Sequence, residues 1–222
     1  MRSRLLVLAL CSAFATVSQA EGVGLYANGG TTGFGLGLTG GSNSMTGRFG
    51  FDTWKKTVTQ NNTDGNYSLD LKLMNVDLLG DWYPFGGAFR ATFGLVYNGN
   101  KASLTATPSA TSQYKFNGQT YNASDVGSFT GEVKFKKTAP YLGVGWGNPV
   151  GKSKTWGFVS DIGILFQGSA RVSSTVTCGA SLTAPQCAQL KQDVAAGAVK
   201  LETDLKDFKK WPVASVGVSY NF

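Results

Sequence analysis

The 222-residue sequence contains no histidine. That removes the usual proton carrier of lipases, acyltransferases and proteases, and the ligand that most often completes a metal site. Aspartate and glutamate can exchange protons, but no pair stands out, so neither catalysis nor a cofactor is expected. Apolar runs are short as well. Beyond the first twenty residues none approaches the roughly 20 positions that a spanning helix needs, so any membrane crossing falls to strands. The formal charge is +7, yet no basic cluster is interleaved with an aromatic stacking platform. Nucleic acid is therefore not an expected partner, and an anionic membrane surface suits the charge better.

Cysteine is scarce, with three in the chain. Cys11 lies in a segment with the grammar of a signal peptide: Arg2 and Arg4, an apolar stretch from Leu5 to Val17, then Ser18-Gln19-Ala20. Leu10 stands where lipid attachment would want a small residue. The chain is thus expected to divide into a cleaved signal peptide, 1–20, and one exported unit, 21–222. In that oxidising setting Cys178 and Cys187 are expected to close a disulfide.

What the chain has in abundance is alternation. In its last stretch Ala214, Val216, Val218, Tyr220 and Phe222 take every second place, against Val213, Ser215, Gly217, Ser219 and Asn221. Eight such strands can be placed. They lie around Val23–Ala27, Phe34–Leu38, Phe49–Asp52, Tyr67–Trp82, Phe89–Asn98, Glu132–Trp146, Trp156–Gln167 and Pro212–Phe222. In the fourth, the apolar phase set by Leu69, Leu71 and Leu73 reverses at Val76 and Leu78, which reads as a β-bulge near Met74 and Asn75. The stretch Lys101–Ser128 reads as a long polar loop with a hairpin signal at Asn117-Gly118. Between Ser181 and Lys210 the period becomes helical, with Leu190, Val194, Gly197, Leu201, Leu205 and Phe208 on one stripe.

Turns at Gly40, Pro84 and Asn148 are short, whereas the connections at Lys55, Lys101 and Cys178 are long. Short turns on one side and long loops on the other is the asymmetry of bacterial outer-membrane barrels. Trp82, Tyr83, Phe85, Trp146, Trp156, Tyr220 and Phe222 fall beside the short turns; Trp54, Tyr67 and Trp211 fall beside the long loops, which predicts two interfacial belts. The expected fold is all-β: an eight-stranded antiparallel transmembrane β-barrel in the outer membrane of a Gram-negative bacterium, with one amphipathic helix, about 184–208, in the last outer loop. Outer-membrane lipid is then an expected partner, as is the barrel assembly machinery, which would engage the C-terminal strand.

In this reading the lumen is lined by Arg48, Asp52, Asp70, Lys72, Asp77, Asp81, Arg90, Glu132, Lys134 and Asp161. An eight-stranded interior is barely wide enough for side chains, so such charges must pair. Two outcomes stay open: a polar plug, or a narrow charged path left by inward glycines such as Gly37, Gly50, Gly143 and Gly163. Gly35-Leu36-Gly37-Leu38-Thr39-Gly40 has the spacing of a dinucleotide loop, but its glycines alternate inside a strand and no helix follows.

Several stretches taken in order resemble a known family. They are GTTGFG (Gly30 to Gly35), MNVDLLGDWYPFGG (Met74 to Gly87), APYLGVGWG (Ala139 to Gly147), WGFVSDIG (Trp156 to Gly163) and WPVASVGVSYNF (Trp211 to Phe222), with a helix before the last. They resemble the CarO-type outer-membrane proteins, the ornithine-uptake or carbapenem-susceptibility porins; a weaker likeness extends to small OmpW- and OmpA-like barrels. The resemblance implies a non-enzymatic barrel that helps small polar or zwitterionic solutes, notably basic amino acids such as ornithine, across the outer membrane. It carries over no ligand residue. The rival expectation is a closed structural or adhesive barrel acting through its outer loops.

Overall fold

The computed structural model describes residues 22–62, 65–108, 113–148, 150 and 155–222. The expected signal peptide and most of the turn expected at Asn148–Lys154 lie outside the described residues. Among the described residues no helix is long and apolar enough to cross a membrane.

Among the described residues thirteen strands are formed: β1 (Gly22–Gly30), β2 (Gly33–Gly41), β3 (Met45–Asn62), β4 (Gly65–Trp82), β5 (Phe89–Asn98), β6 (Lys101–Pro108), β7 (Gln113–Phe116), β8 (Gln119–Asn122), β9 (Val126–Lys134), β10 (Thr138–Trp146), β11 (Trp156–Leu165), β12 (Arg171–Cys178) and β13 (Trp211–Asn221). Eight of them make a ring of antiparallel neighbours, β1-β2-β3-β4-β5-β10-β11-β13, in which β13 returns to pair with β1. The ring puts exposed apolar side chains outside and buried polar ones inside. Leu36 and Phe34 are each 70% exposed and Ile162 68%, whereas Arg90, Asp81, Asn75 and Thr92 are fully buried. That inverts a water-soluble protein and matches a wall facing lipid.

Over its described residues, the long polar connection expected at Lys55–Asn66 is instead strand. β3 and β4 are 18 residues each and pair without a break from Met45↔Trp82 to Asn62↔Gly65. No bulge occurs at Met74 or Asn75. The expected loop at Lys101–Ser128 is also largely strand, and β6 continues the line of β5 in the same register along β4. The single sixth strand expected is two, β9 and β10, which run down beside β6 and β5. β12, which the sequence reading does not place, adds to β9. Five lines of strand therefore rise beyond the ring as one sheet, β3-β4-β6-β9-β12.

The inner face of this raised sheet is apolar and roofed. Helix α1 (Ala184–Asp204) packs on β12, where Leu190 and Val194 bury against Val176 and Val126. Pro185 and the Thr183–Gln186 capping box begin the helix, with the Thr183 backbone N–H donating to Gln186 Oε1 at 3.0 Å. It ends at Asp204, short of the expected residue 208, and Leu201 and Phe208 from its expected stripe are exposed. The β7–β8 hairpin turns at Asn117-Gly118, both at positive φ, as the sequence predicts. It is held to the helix through Asp193, which accepts from Tyr121 Oη at 2.5 Å and Asn117 Nδ2 at 3.2 Å. Cys178 and Cys187 are bonded, tying the end of β12 to the first turns of α1.

Candidate functional site

Strand alternation sends Arg48, Asp52, Asp77, Asp81, Arg90 and Asp161 into the ring, and four of these meet in a closed circuit. Arg48 on β3 reaches Asp81 on β4 (Nε to Oδ2, 2.7 Å) and Asp161 on β11 (Nη2 to Oδ1, 2.9 Å). Arg90 on β5 reaches the same two carboxylates, Asp161 Oδ2 at 2.9 Å and Asp81 Oδ1 at 3.4 Å. Each cation is bridged by both anions, so the circuit is neutral. Further hydrogen bonds hold it: Thr92 Oγ1 donates to Asp81 Oδ1 at 2.6 Å, and Arg90 donates to the carbonyls of Gly147 and Ser160. Four buried charges in a narrow barrel persist only when matched in this way.

The inward glycines do not leave a path. A methyl group on Gly37 or Gly50 would meet the Tyr26 hydroxyl oxygen at 2.5 or 2.4 Å, and one on Gly143 or Gly163 would meet that of Tyr141 at 2.5 Å. At Gly145 the space belongs to Arg90. Two tyrosines and an arginine thus fill the volume those glycines give up. Beside the circuit lies a cavity of about 40 Å³, bordered by Tyr26, Asn28, Arg48, Asp52, Asp77 and Tyr141. That is room for a water molecule or an ammonium head. Asp52 accepts from Asn28 Nδ2 at 3.3 Å, and among the described residues neither Asp52 nor Asp77 forms an ion pair.

The other four residues expected in the lumen are not there. Because the β3–β4 register is unbroken, Asp70 and Lys72 lie on the outer face, in line with Val76 and Leu78, while Leu69, Leu71 and Leu73 face in. Pairing carries Glu132 and Lys134 to that same outer face, where Glu132 bonds Lys101 at 3.2 Å and also Lys134. These two ammonium groups hold the Glu132 carboxyl below its usual range, the Lys134 hydrogen bond first. The aromatic sorting needs a similar correction. Trp82, Phe85, Trp146, Trp156 and Phe222 are exposed beside the short turns, but Tyr83 is buried. Trp54 and Tyr67 lie on the inner face of the raised sheet rather than in an outer belt.

A second cavity, of about 510 Å³ and mostly apolar, opens where the wall is low. On that side β1 and β2 turn back at Thr31-Thr32, and the cavity lies between them and Trp54, Leu71, Leu73, Ala102, Gln167 and Trp211. Trp211 Nε1 and Gln167 Oε1 are buried there and have no hydrogen-bond partner among the described residues. Sequence reasoning found neither this cleft nor Tyr26 and Tyr141, since all three depend on neighbours distant in the chain.

A scan against protein-family models finds no match, and a search of curated proteins finds none that is significant. Solved structures do match. CarO of Acinetobacter baumannii is 26% identical, with a TM-score of 0.55 over 90% of this chain and 97% of that one. CarO2 of the same organism is 21% identical, with a TM-score of 0.58 over 92% of this chain and all of the other. In fold, the chain is similar to these CarO β-barrels.

Proposed function

We propose that this barrel assists the passage of small cationic or zwitterionic solutes, basic amino acids among them, and performs no catalysis. The observation that carries this is a charge imbalance inside the wall. The four-membered circuit is neutral, and Asp52 and Asp77, carboxyls close enough to share a proton, add a single net negative charge on the cavity beside it with no base of its own. A lumen biased this way favours an amine over an anion. Entry would run through the cleft over the β1–β2 turn, where Trp211 Nε1 and Gln167 Oε1 offer a donor and an acceptor to a polar solute. The small cavity admits only the charged head, so passage requires the circuit to part. The C-terminal strand would be the segment that the assembly machinery engages.

The test is flux of radiolabelled ornithine, arginine and glycine into vesicles holding the refolded mature protein. Flux above empty vesicles, reduced several-fold by Asp52→Asn with Asp77→Asn, is the expected outcome. No flux from a correctly folded barrel sinks the proposal. It would favour a closed surface barrel, a reading that draws on the complete pairing of the circuit.

A further inference from the structure

The outer face of the raised sheet carries an uninterrupted row of bases. Register pairs Lys55 with Lys72, Lys72 with Lys101, Lys101 with Lys134, and Lys134 with Arg171. Five cations therefore stand side by side across β3, β4, β6, β9 and β12, at about 4.8 Å per strand. Like charges directly opposite each other destabilise a sheet. Glu132 offsets Lys101 and Lys134, whereas Lys55, Lys72 and Arg171 form no ion pair among the described residues. Asp70 and Glu132 in the adjoining row offset part of this charge, and the excess is balanced by anions from outside the chain.

Its height says where that anion comes from. Below the first three bases the same face is apolar or small: Phe49, Phe51 and Thr53 under Lys55; Val76 and Met74 under Lys72; Leu95 and Tyr97 under Lys101. From Trp82, at the short-turn end of β4, to Lys72 is about 33 Å along the strand, or about 25 Å along the barrel axis at the usual strand tilt. That equals the height of the apolar band of an outer-membrane barrel, so the bases stand at the outer boundary of the hydrocarbon. Above them the face is hydroxylic. The next row is Thr57, Asp70, Ser103, Glu132 and Ser173, and the one beyond is Thr59, Ser68, Thr105, Thr130 and Thr175.

We infer that this face binds a phosphorylated glycolipid of the outer leaflet, its phosphates on the base row and its sugars against the hydroxyl rows. Bases immediately above an apolar wall meet a ligand that has acyl chains as well as phosphate. Ten hydroxyl or carboxylate side chains above them match sugar hydroxyls rather than a small phospholipid headgroup. This inference rests on the placement of the barrel in the outer membrane and is independent of solute passage.

The probe is bisphosphorylated lipid A, presented in mixed micelles to the folded mature protein, with retained lipid counted by native mass spectrometry. Chemically dephosphorylated lipid A and phosphatidylglycerol are compared, inorganic phosphate is added as competitor, and no solute transport is read. Lipid A should be retained at least about tenfold better than its dephosphorylated form, and better than phosphatidylglycerol. Retention should fall by a similar factor in Lys55→Gln/Lys72→Gln/Arg171→Gln, but not in Lys115→Gln/Lys191→Gln/Lys200→Gln, whose bases lie elsewhere. Heat-modifiable migration checks the fold of each variant, and the dephosphorylated lipid tests the row without any variant. Equal retention of the two lipid A forms, undiminished retention by the first variant, or displacement by inorganic phosphate would each overturn the inference.

Discussion

Arg48 and Asp161 stand 113 residues apart and face each other across the lumen through two contacts, Nη2 to Oδ1 at 2.9 Å and Nη1 to Oδ2 at 3.0 Å. This forked pairing joins β3 to β11, strands that are not neighbours in the ring, and so braces the interior as well as blocking it.

Asp161→Ala leaves two buried guanidinium groups facing one carboxylate, and should cost about 3–5 kcal/mol of stability in urea titration of the vesicle-inserted barrel. Single-channel conductance should rise in the same variant. Replacing Arg48 and Asp161 together by apolar residues leaves Arg90 balanced by Asp81, and should cost less than either single change. If the double replacement is the worst of the three, the circuit does not act as a matched unit.

Gly163 and Gly143 are opposite neighbours whose side-chain space is taken by the Tyr141 hydroxyl. Gly163→Ala should therefore destabilise by about 1–3 kcal/mol through overpacking. Combined with Tyr141→Ala, the same change should cost less, the close approach to the Leu142 carbonyl at 2.7 Å remaining, and the double-mutant cycle should show a coupling energy. Additive costs would show that Tyr141 does not set the limit.

The roof has its own pH dependence. Hydrogen bonds from Tyr121, Asn117 and Gln189 hold the Asp193 carboxyl below its usual range. Burial, followed by the hydrogen bond and charge of Asp193, pushes the Tyr121 phenol up to about 12. A depressed carboxylate contributes fully above its unfolded value of about 3.9, and that contribution is lost as pH falls through the folded value. A raised phenol contributes fully below about 10, and its contribution is lost as pH climbs towards the folded value. The β7–β8 hairpin should thus loosen from α1 at both extremes. Pepsin cleavage within the hairpin should accelerate as pH drops below about 4 in the wild type and be fast throughout in Asp193→Asn.

The bond between Cys178 and Cys187 closes a short loop, with a separation of 9 residues. Closure of that size is worth about 2–3 kcal/mol in the chain-entropy account. Reduction should therefore free the start of α1 without melting the ring. Trypsin cleavage at Lys191 should speed up under reductant, while heat-modifiable migration stays unchanged.

Much of the ring was legible in the sequence. Alternation through Phe34, Leu36 and Leu38, through Phe93 and Leu95, and through Val216 and Val218 marks walls with one greasy face, and the positions of the short turns order them. The raised sheet was misread because one strand passes from lipid into water. Below Met74 the outer face of β4 is apolar, since lipid surrounds it. Above Met74 the inner face is apolar, since helix and hairpin cover it. A reversal of phase at Leu73 and Val76 then looks like a bulge when polarity is read against a single solvent.

By itself the sequence determined most walls of the ring, the short turns at Gly40 and Pro84, the charges available and the lack of a histidine, because period and composition are local properties. Only the tertiary structure decided which charges share an interior. Register across several strands brings Arg48 to Asp161, moves Asp70, Lys72, Glu132 and Lys134 outside, and aligns Lys55 with Arg171. Contacts between strands so far apart in the chain leave no periodic trace in the residues that make them.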